Sequence, residues 1–386
     1  MKRTTARIDR LGLLLTVAGA AALAFLPFVV FKHNRILPGD PLGLFAAVPA
    51  SAAYACVVTL ILAVVIALGV GHAQTRFTVA LIGIAVVAFA IATAGNALTP
   101  PGNRVVRVAP GAGGWLLLAT LVLMATDALT RLRPRPLTRV LLLVLCAVAA
   151  GFALGHGVFD HLSIMREYAV NAGRFARELH VHLWLALGSL GAALIIALPL
   201  GILCHRVPRL RAGTLGALNM IQTIPSIALF GILMAPLAAL AAAVPLAAQL
   251  GIRGIGAAPA VIALFLYSLL PIVANTVVGL ERVSPAAVEA ARGMGMTAGQ
   301  VLAQIELPLA LPVILSGVRI VLVQNIGMVT IAALIGAGGL GAFVFQGIGQ
   351  TAIDLVLLGA IPTVAMAFGA SVLLDALVET LDRIPP

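Results

Sequence analysis

The 386-residue sequence predicts an all-α, polytopic membrane protein with about ten transmembrane helices and both termini in the cytoplasm. Hydrophobic residues make up 62% of it and charged residues only 10%, whereas soluble domains carry about 25% charge. Apolar runs of about 20 residues, the length that crosses a bilayer, recur along the chain. The arginines collect in the gaps between those runs, where basic residues fix orientation.

The first run, 11–31, follows MKRTTARIDR. A basic start before an apolar stretch is also the pattern of a signal peptide. This run is longer than the usual core of about 7–15 residues, so it reads as a retained first helix. The further spans are 48–71, 77–97, 113–130, 137–156, 182–203, 213–235, 257–279, 309–333 and 354–378. Each must be helical, because lipid offers the backbone no hydrogen-bonding partner. With the N-terminus inside, fifteen of the 24 Lys and Arg fall in cytoplasmic segments and eight in outer ones, with Arg319 inside a helix. The clusters RLRPRPLTR and HRVPRLR fall on the same side as EAARGMG.

The chain divides into three stretches. Residues 1–157 hold five helices with few interior polar groups. Residues 158–181 are mixed in polarity, with Ile164, Tyr168, Ala172, Phe175 and Leu179 forming one apolar stripe at helical spacing. That pattern predicts an amphipathic helix, either lying at the outer interface or forming a solvated loop. Residues 182–386 are richer in Pro, Gly and uncharged polar groups.

Several chemistries are excluded or unsupported. The formal charge of +11 sits in membrane gaps rather than on a nucleic-acid-binding face, so no nucleic-acid partner is expected. Cys56, Cys146 and Cys204 lie far apart inside apolar runs and form neither a disulfide framework nor a metal pattern. His156, His161, His180 and His182 lack ligand spacing and read as interfacial, so no metal site is predicted. The run Ile335–Gly341 lacks the strand–turn–helix context of a phosphate cradle and reads as close backbone packing or an outer loop. No HExxH, GxSxG or intramembrane aspartate pair marks an enzyme, and no catalytic residue is assigned. A proton- or sodium-coupled transporter would place carboxylates near the midplane; Asp127, Asp354 and Asp375 lie toward helix ends.

The segment 281–308 interrupts this lipid-like chain with charge. Ser284-Pro285 offers a helix start, Gly293-Met294-Gly295 a break, and Thr297-x-x-Gln300 a capping box that opens a second helix. Leu307-Pro308 is expected to end that second helix. Two short cytoplasmic helices around a glycine bend form either a docking element or an ordinary loop. Local physics leaves both open.

The residues Glu289-Ala290-Ala291, then Gly295, then Ile305-x-Leu307-Pro308 carry the spacing of a known motif. They resemble the EAA motif of binding-protein-dependent ABC import permeases. The flanks LWLALGSL…ALPLGIL, IQTIPSIALFGIL, YSLLPIVANTVVGL, ARGMGM and IAALIGAGGLGAFVFQGI resemble the quaternary-amine permeases, over about residues 182–382. The additional N-terminal helices resemble a longer subgroup of osmoprotectant permeases and depart from the short members of the family.

This resemblance implies a five-helix permease core in 182–386 and a coupling helix in 281–308 that enters a groove on a separate ATPase. Glu289 would face polar or basic groups of that ATPase, Ala290 and Ala291 would allow close approach, Gly295 would form the bend, and Arg292 belongs to the same coupling segment. Ile305, Leu307 and Pro308 complete the motif. No GxxxxGK[ST] pattern is present, so ATP and Mg belong to the partner and no cofactor is expected on this chain. The implied assembly is a multi-pass protein of the bacterial inner membrane. It comprises two permease chains, as homo- or heterodimer, two ATPases and an extracytoplasmic binding protein. Its cargo would be glycine betaine, choline or a related amine; the alternatives are another small solute such as an amino acid, or a secondary transporter.

A translocation path needs polar groups. Asn219, Gln222, Thr223 and Ser226 are spaced for one helical face, and Asn275, Thr276, Gln324, Asn325 and Thr330 lie in the following spans. Pro225 and Pro271 are expected to kink their helices and free carbonyls toward a cavity. Each polar residue has a second reading, as a helix–helix hydrogen bond. Arg319, about 16 Å into its helix, requires an ion partner or a cavity.

Overall fold

The computed structural model describes residues 9–35, 37–69, 72–103 and 105–382. Lys2, Arg3, Arg7, Arg104 and Arg383 of the orientation count lie outside the described residues. Packing divides the chain into two units, residues 1–135 with 145–170, and residues 136–144 with 171–386.

The first unit opens with α1 (Arg10–Phe25), shorter than the expected 11–31. Pro27 is the reason, since it biases Leu26 away from helical angles, and Leu26 is extended. The apolar residues beyond it form a strand, β1 (Val29–Lys32), which pairs antiparallel with β2 (Asp40–Leu42) and β3 (Arg107–Pro110) in the order β2-β1-β3. These three strands are absent from the sequence-based reading. β-Branched and aromatic residues in Val29-Val30-Phe31 favour them.

Three long helices follow in order: α2 (Ala50–Gly69), α3 (Ala73–Leu98) and α4 (Ala112–Leu132). On α3, Ala80, Gly83, Val87, Ala90 and Ala94 are buried at spacings of three and four. Leu117, Leu121, Met124 and Ala128 do the same on α4. A small-residue face on one helix thus meets a mostly larger one on the other. Such a face lets membrane helices approach closely, where packing rather than water exclusion supplies the energy.

Charges close one end of this bundle. Asp9 caps α1 by accepting from the Leu11 N–H at 3.1 Å. It also binds Arg76 at 2.5 Å and Arg131 at 2.8 Å, while Arg131 reaches Asp127 at 2.9 Å. Arg76 is 2% exposed, which is sustainable for a guanidinium only with such partners.

Helix α5 (Pro136–Gly155) contributes residues to both units. Next comes α6 (Ser163–Arg206), one continuous helix of 44 residues. The expected separate amphipathic helix at 158–181 is therefore corrected: it is the leading part of the same helix as the span at 182–203. No proline interrupts the chain between Ser163 and Leu198, so nothing ends the helix there. At 1.5 Å per residue α6 measures about 66 Å, twice the thickness of a hydrocarbon core.

In the second unit the expected span 213–235 is two helices, α7 (Pro208–Thr223) and α8 (Ser226–Ala243). Ile224 and Pro225 between them are extended, as a residue before proline prefers. Then come α9 (Ala257–Glu281), α10 (Pro285–Gly293), α11 (Ala298–Val301), α12 (Leu307–Ala332), α13 (Gly341–Gly349) and α14 (Ile353–Asp382). Helix α12 packs on α9 and α14 and forms the centre of the unit. Among the described residues, eight helical stretches are long and apolar enough to cross a membrane, and two shorter apolar helices lie at Arg10–Phe25 and Ala50–Ile66. All ten expected spans fall on these stretches, so the protein is an all-α polytopic membrane protein with a small sheet added.

Candidate functional site: coupling segment and polar helix core

The charged segment is built as two helices around a turn. Pro285 opens α10, although the Ser284 side chain makes no capping bond. After Gly293 the backbone turns through Gly295, whose φ of +86° is a conformation that glycine adopts without steric cost. The capping box is present: Thr297 accepts from the Gln300 N–H, and Gln300 Oε1 accepts from the Thr297 N–H at 2.8 Å. Glu289, Ala290, Arg292 and Gly295 are exposed, and Ala291 is buried against the chain's own residues.

The expected stop at Leu307-Pro308 is not there. The helix continues as a π turn, Leu302–Glu306, directly into α12. Pro308 lacks an N–H, and the wider turn accommodates the break in the ladder. Ile305 and Leu307 are half-buried and Pro308 is exposed. Glu306, 4% exposed in that turn, pairs with Arg206 at the end of α6. The sequence-based reading missed this pair, because Glu306 occupies the motif's unrestricted position and Arg206 lies 100 residues away.

The expected path residues separate into two groups. Asn325 is fully buried and donates to Ser189 Oγ and Ser268 Oγ, each at 3.1 Å, joining α12 to α6 and α9. Thr276 is fully buried and donates to the Ile272 carbonyl at 2.7 Å; its side chain lies where a Cβ on Gly201 would stand. Asn275 donates to the Pro271 carbonyl at 2.8 Å, and Gln324 approaches Met328 Sδ at 3.5 Å. Thr330 is half-buried. Asn325 thus bonds between helices, Asn275, Thr276 and Gln324 make contacts within their own helices, and the Thr330 hydroxyl has no hydrogen-bond partner among the described residues.

The other group surrounds the helix break. Ser226 begins α8, so the expected single face of Asn219, Gln222, Thr223 and Ser226 is divided between two helices. Asn219 and Thr223 are exposed, and Thr223 donates to the Met220 carbonyl at 2.7 Å. Gln222 Nε2 donates to the Tyr267 carbonyl at 2.9 Å, and the Tyr267 hydroxyl donates to the Ile224 carbonyl. The carbonyls near Pro225 and Pro271 are thus taken up by side chains rather than left facing a cavity.

Arg319 pairs with Asp375, which also binds Arg139 at 2.6 Å; Arg139 pairs in addition with Glu379. The glycine run and one of the histidines, His182, assigned separately from sequence, meet. His182 is fully buried, accepts from the Leu340 N–H through Nδ1 at 3.2 Å, and contacts the Ile326 carbonyl through Nε2 at 2.9 Å. Glu178 Oε2 accepts from the Gly339 N–H at 2.7 Å, and Arg174 donates to Gln346 Oε1 at 2.5 Å. Residues 174, 178 and 182 thus form one stripe on α6 that grips the loop before α13 and α13 itself. Their regular spacing of four was the signal available in the sequence. Among the described residues no group of His, Cys, Asp and Glu is arranged to hold a metal.

The chain is similar to known transport proteins. Residues 197–383 match the family described as binding-protein-dependent transport system inner membrane component. Residues 9–165 match the N-terminal domain of the ABC transporter permease YehY. The osmoprotectant import permease protein OsmW of Salmonella typhimurium is 45% identical over 211 residues, which is 55% of this chain and 91% of the relative. The glycine betaine/carnitine/choline transport permease OpuCD of Bacillus subtilis is 38% identical, over 56% of this chain and 88% of the relative. The choline transport permease OpuBD of the same organism is 37% identical, over 57% and 91%. Among solved structures, the inward-facing MetNI methionine ABC transporter is similar at 22% identity and a TM-score of 0.47, over 54% of this chain and 96% of that one. The chain belongs to the binding-protein-dependent ABC transporter permeases that include these osmoprotectant and choline transport subunits.

Proposed function

We propose that this chain is the membrane permease of an ATP-driven importer that carries a quaternary-amine osmoprotectant such as glycine betaine or choline into the cytoplasm. The cargoes named for the OsmW, OpuCD and OpuBD relatives support that reading. The exposed, capped helix pair at 285–301 carries the mechanism: it presents Glu289, Ala290 and Arg292 outward beside a glycine bend.

In this reading the segment docks into a cytoplasmic ATPase, which holds ATP and Mg. A second permease chain and an extracytoplasmic binding protein complete the complex in the inner membrane. Nucleotide-driven motion of the ATPase is transmitted through α10 and α11 into the π turn and α12. The Arg206–Glu306 pair ties that motion to the end of α6. Each nucleotide state then differs in contacts at one element, which is what lets ATP bias the alternation. Asn219 and Thr223, exposed beside the α7–α8 break, are the residues of this chain best placed to line the path. Uncharged donors and acceptors there guide a zwitterion without trapping it.

The test is uptake of radiolabelled glycine betaine and choline by the complex reconstituted in liposomes. Uptake that requires internal ATP and persists with an uncoupler supports the reading. Glu289→Lys should abolish ATP-driven uptake and weaken ATPase association. Unchanged uptake and assembly in that variant would overturn the coupling assignment.

A further inference from the structure

Two arginines at one corner of the second unit hold the two ends of the coupling segment. Helix α6 ends at Arg206 and α7 starts at Pro208, so only Val207 separates them. The corner is closed by the Val207 N–H, which donates to the Leu203 carbonyl at 2.8 Å, and by the Leu210 N–H, which donates to the Val207 carbonyl at 3.0 Å. Arg206 pairs with Glu306, where the segment enters α12. Arg211, the fourth residue of α7, pairs with Glu281, the last residue of α9, just before α10 begins at Pro285. Only the first of these pairs has a role in the import cycle described so far.

The second pair is a fork. Both terminal nitrogens of Arg211 donate to Glu281, one to each carboxylate oxygen, and the Nη2–Oε2 bond measures 3.3 Å. Bidentate pairing fixes direction as well as distance. Neither charge suits its own helix. A helix is partly positive at its N-terminus and partly negative at its C-terminus, so Arg211 stands near the wrong end of α7 and Glu281 at the wrong end of α9. Each is favourable through the other. Nor is the pair a strong staple, because its side chains are 39% and 43% exposed and exposed ion pairs stabilise little.

The pair heads a stripe along α7 that faces α9. Arg211, Leu215, Leu218 and Gln222 recur at spacings of four, three and four, which is one helical face. Leu215 and Leu218 join the apolar cluster of Ile272, Val273 and Val277 on α9, and Gln222 donates to the Tyr267 carbonyl of the same helix. Apolar packing is non-directional, so the two polar ties fix the register of α7 on α9. Asn219 and Thr223 stand exposed to one side of this stripe.

We infer that Arg211 and Glu281 are positioning residues for coupling. They carry displacement of the coupling segment from the end of α9 into α7, and so to the path residues Asn219 and Thr223. This second route rests on the importer function proposed above and lies at the opposite end of the segment from Arg206–Glu306.

The complete complex in liposomes, loaded with ATP, tests this when phosphate release and uptake of radiolabelled glycine betaine and choline are measured together. Arg211→Gln should raise the ATP hydrolysed per substrate imported about fivefold, through lower uptake at a sustained rate of hydrolysis. Its melting temperature should hardly change. Arg209→Gln removes the same charge two residues away, from an exposed side chain without an ion pair among the described residues, and should leave the ratio as it is. The exchange Arg211→Glu with Glu281→Arg rebuilds the pair with each charge at the helix end that favours it. It should return the ratio to within about twofold of wild type, and it decides alone if Arg211→Gln does not assemble. An unchanged ratio in Arg211→Gln, an equal rise in Arg209→Gln, or a ratio still raised in the exchange overturns the role of the pair and leaves the importer function standing. Wild-type liposomes without ATP-dependent uptake of either amine overturn that function, and this inference with it.

Discussion

Gln222 donates to the carbonyl of Tyr267, and that carbonyl is the one Pro271 leaves without a helical donor, because proline four residues on has no N–H. A side chain on α7 thereby completes the ladder of α9. Tyr267 returns the bond through its hydroxyl to Ile224, the residue before Pro225. The proline in α9 and the break at Pro225 are thus tied together by one side chain from each side.

This exchange predicts a conditional effect. Gln222→Leu leaves a part-buried carbonyl unsatisfied and should cost about 1–3 kcal/mol, read as a lower melting temperature of the purified permease. In a Pro271→Ala background the restored N–H reaches the Tyr267 carbonyl, so the same substitution should cost much less. Equal costs in both backgrounds would show that Gln222 acts through something other than this carbonyl.

The spans, the glycine bend and the capping box were legible in the sequence, because hydropathy and local capping are short-range signals. Features that depend on distant partners were not. Arg206 and Glu306, or Arg319 and Asp375, are separated by 100 and 56 residues. Nothing local marks Asn325 as a buried junction rather than a path residue. The strand at Val29–Lys32 was hidden because an apolar run reads as helix until Pro27 is given its weight. The unbroken α6 was hidden because a change of polarity at 181 looked like a change of element.

The Arg206–Glu306 pair gives a prediction specific to coupling. Glu306→Gln leaves Arg206 without its counter-charge beside a buried amide, at a cost of about 3–5 kcal/mol for a fully buried pair and less here, since the Arg206 side chain is 38% exposed. ATP-driven uptake should fall more than ATPase binding, because the exposed Glu289 surface remains. The exchange Arg206→Glu with Glu306→Arg should recover part of the uptake, and both quantities are measured in the same liposomes.

Gly341 makes a steric prediction. A Cβ there would stand 2.0 Å from the Thr330 carbonyl oxygen, which neither α12 nor α13 can yield without moving. Gly341→Ala should prevent stable folding or displace the loop held by Glu178 and His182. Gly295→Ala meets no atom within 4 Å and strains only its positive φ, costing about 1–2 kcal/mol. Expression and melting temperature of the two variants should therefore differ sharply.

Asp9 sets an acid limit on the first unit. Burial pushes its carboxyl up, but hydrogen bonding and charge from Arg76, with the charge of Arg131, outweigh burial and hold it below its ordinary value of 3.8. A carboxyl depressed in the folded state contributes stability that is fully present above the unfolded value and is lost as pH falls through the folded one. The melting temperature of the full chain should thus decline below about pH 4, as Asp9 protonates and Arg76 loses a partner. Asp9→Asn should be less stable at neutral pH and show a shallower decline on acidification, since it has no proton to take up. A parallel decline in both proteins would show that the acid sensitivity does not arise from Asp9.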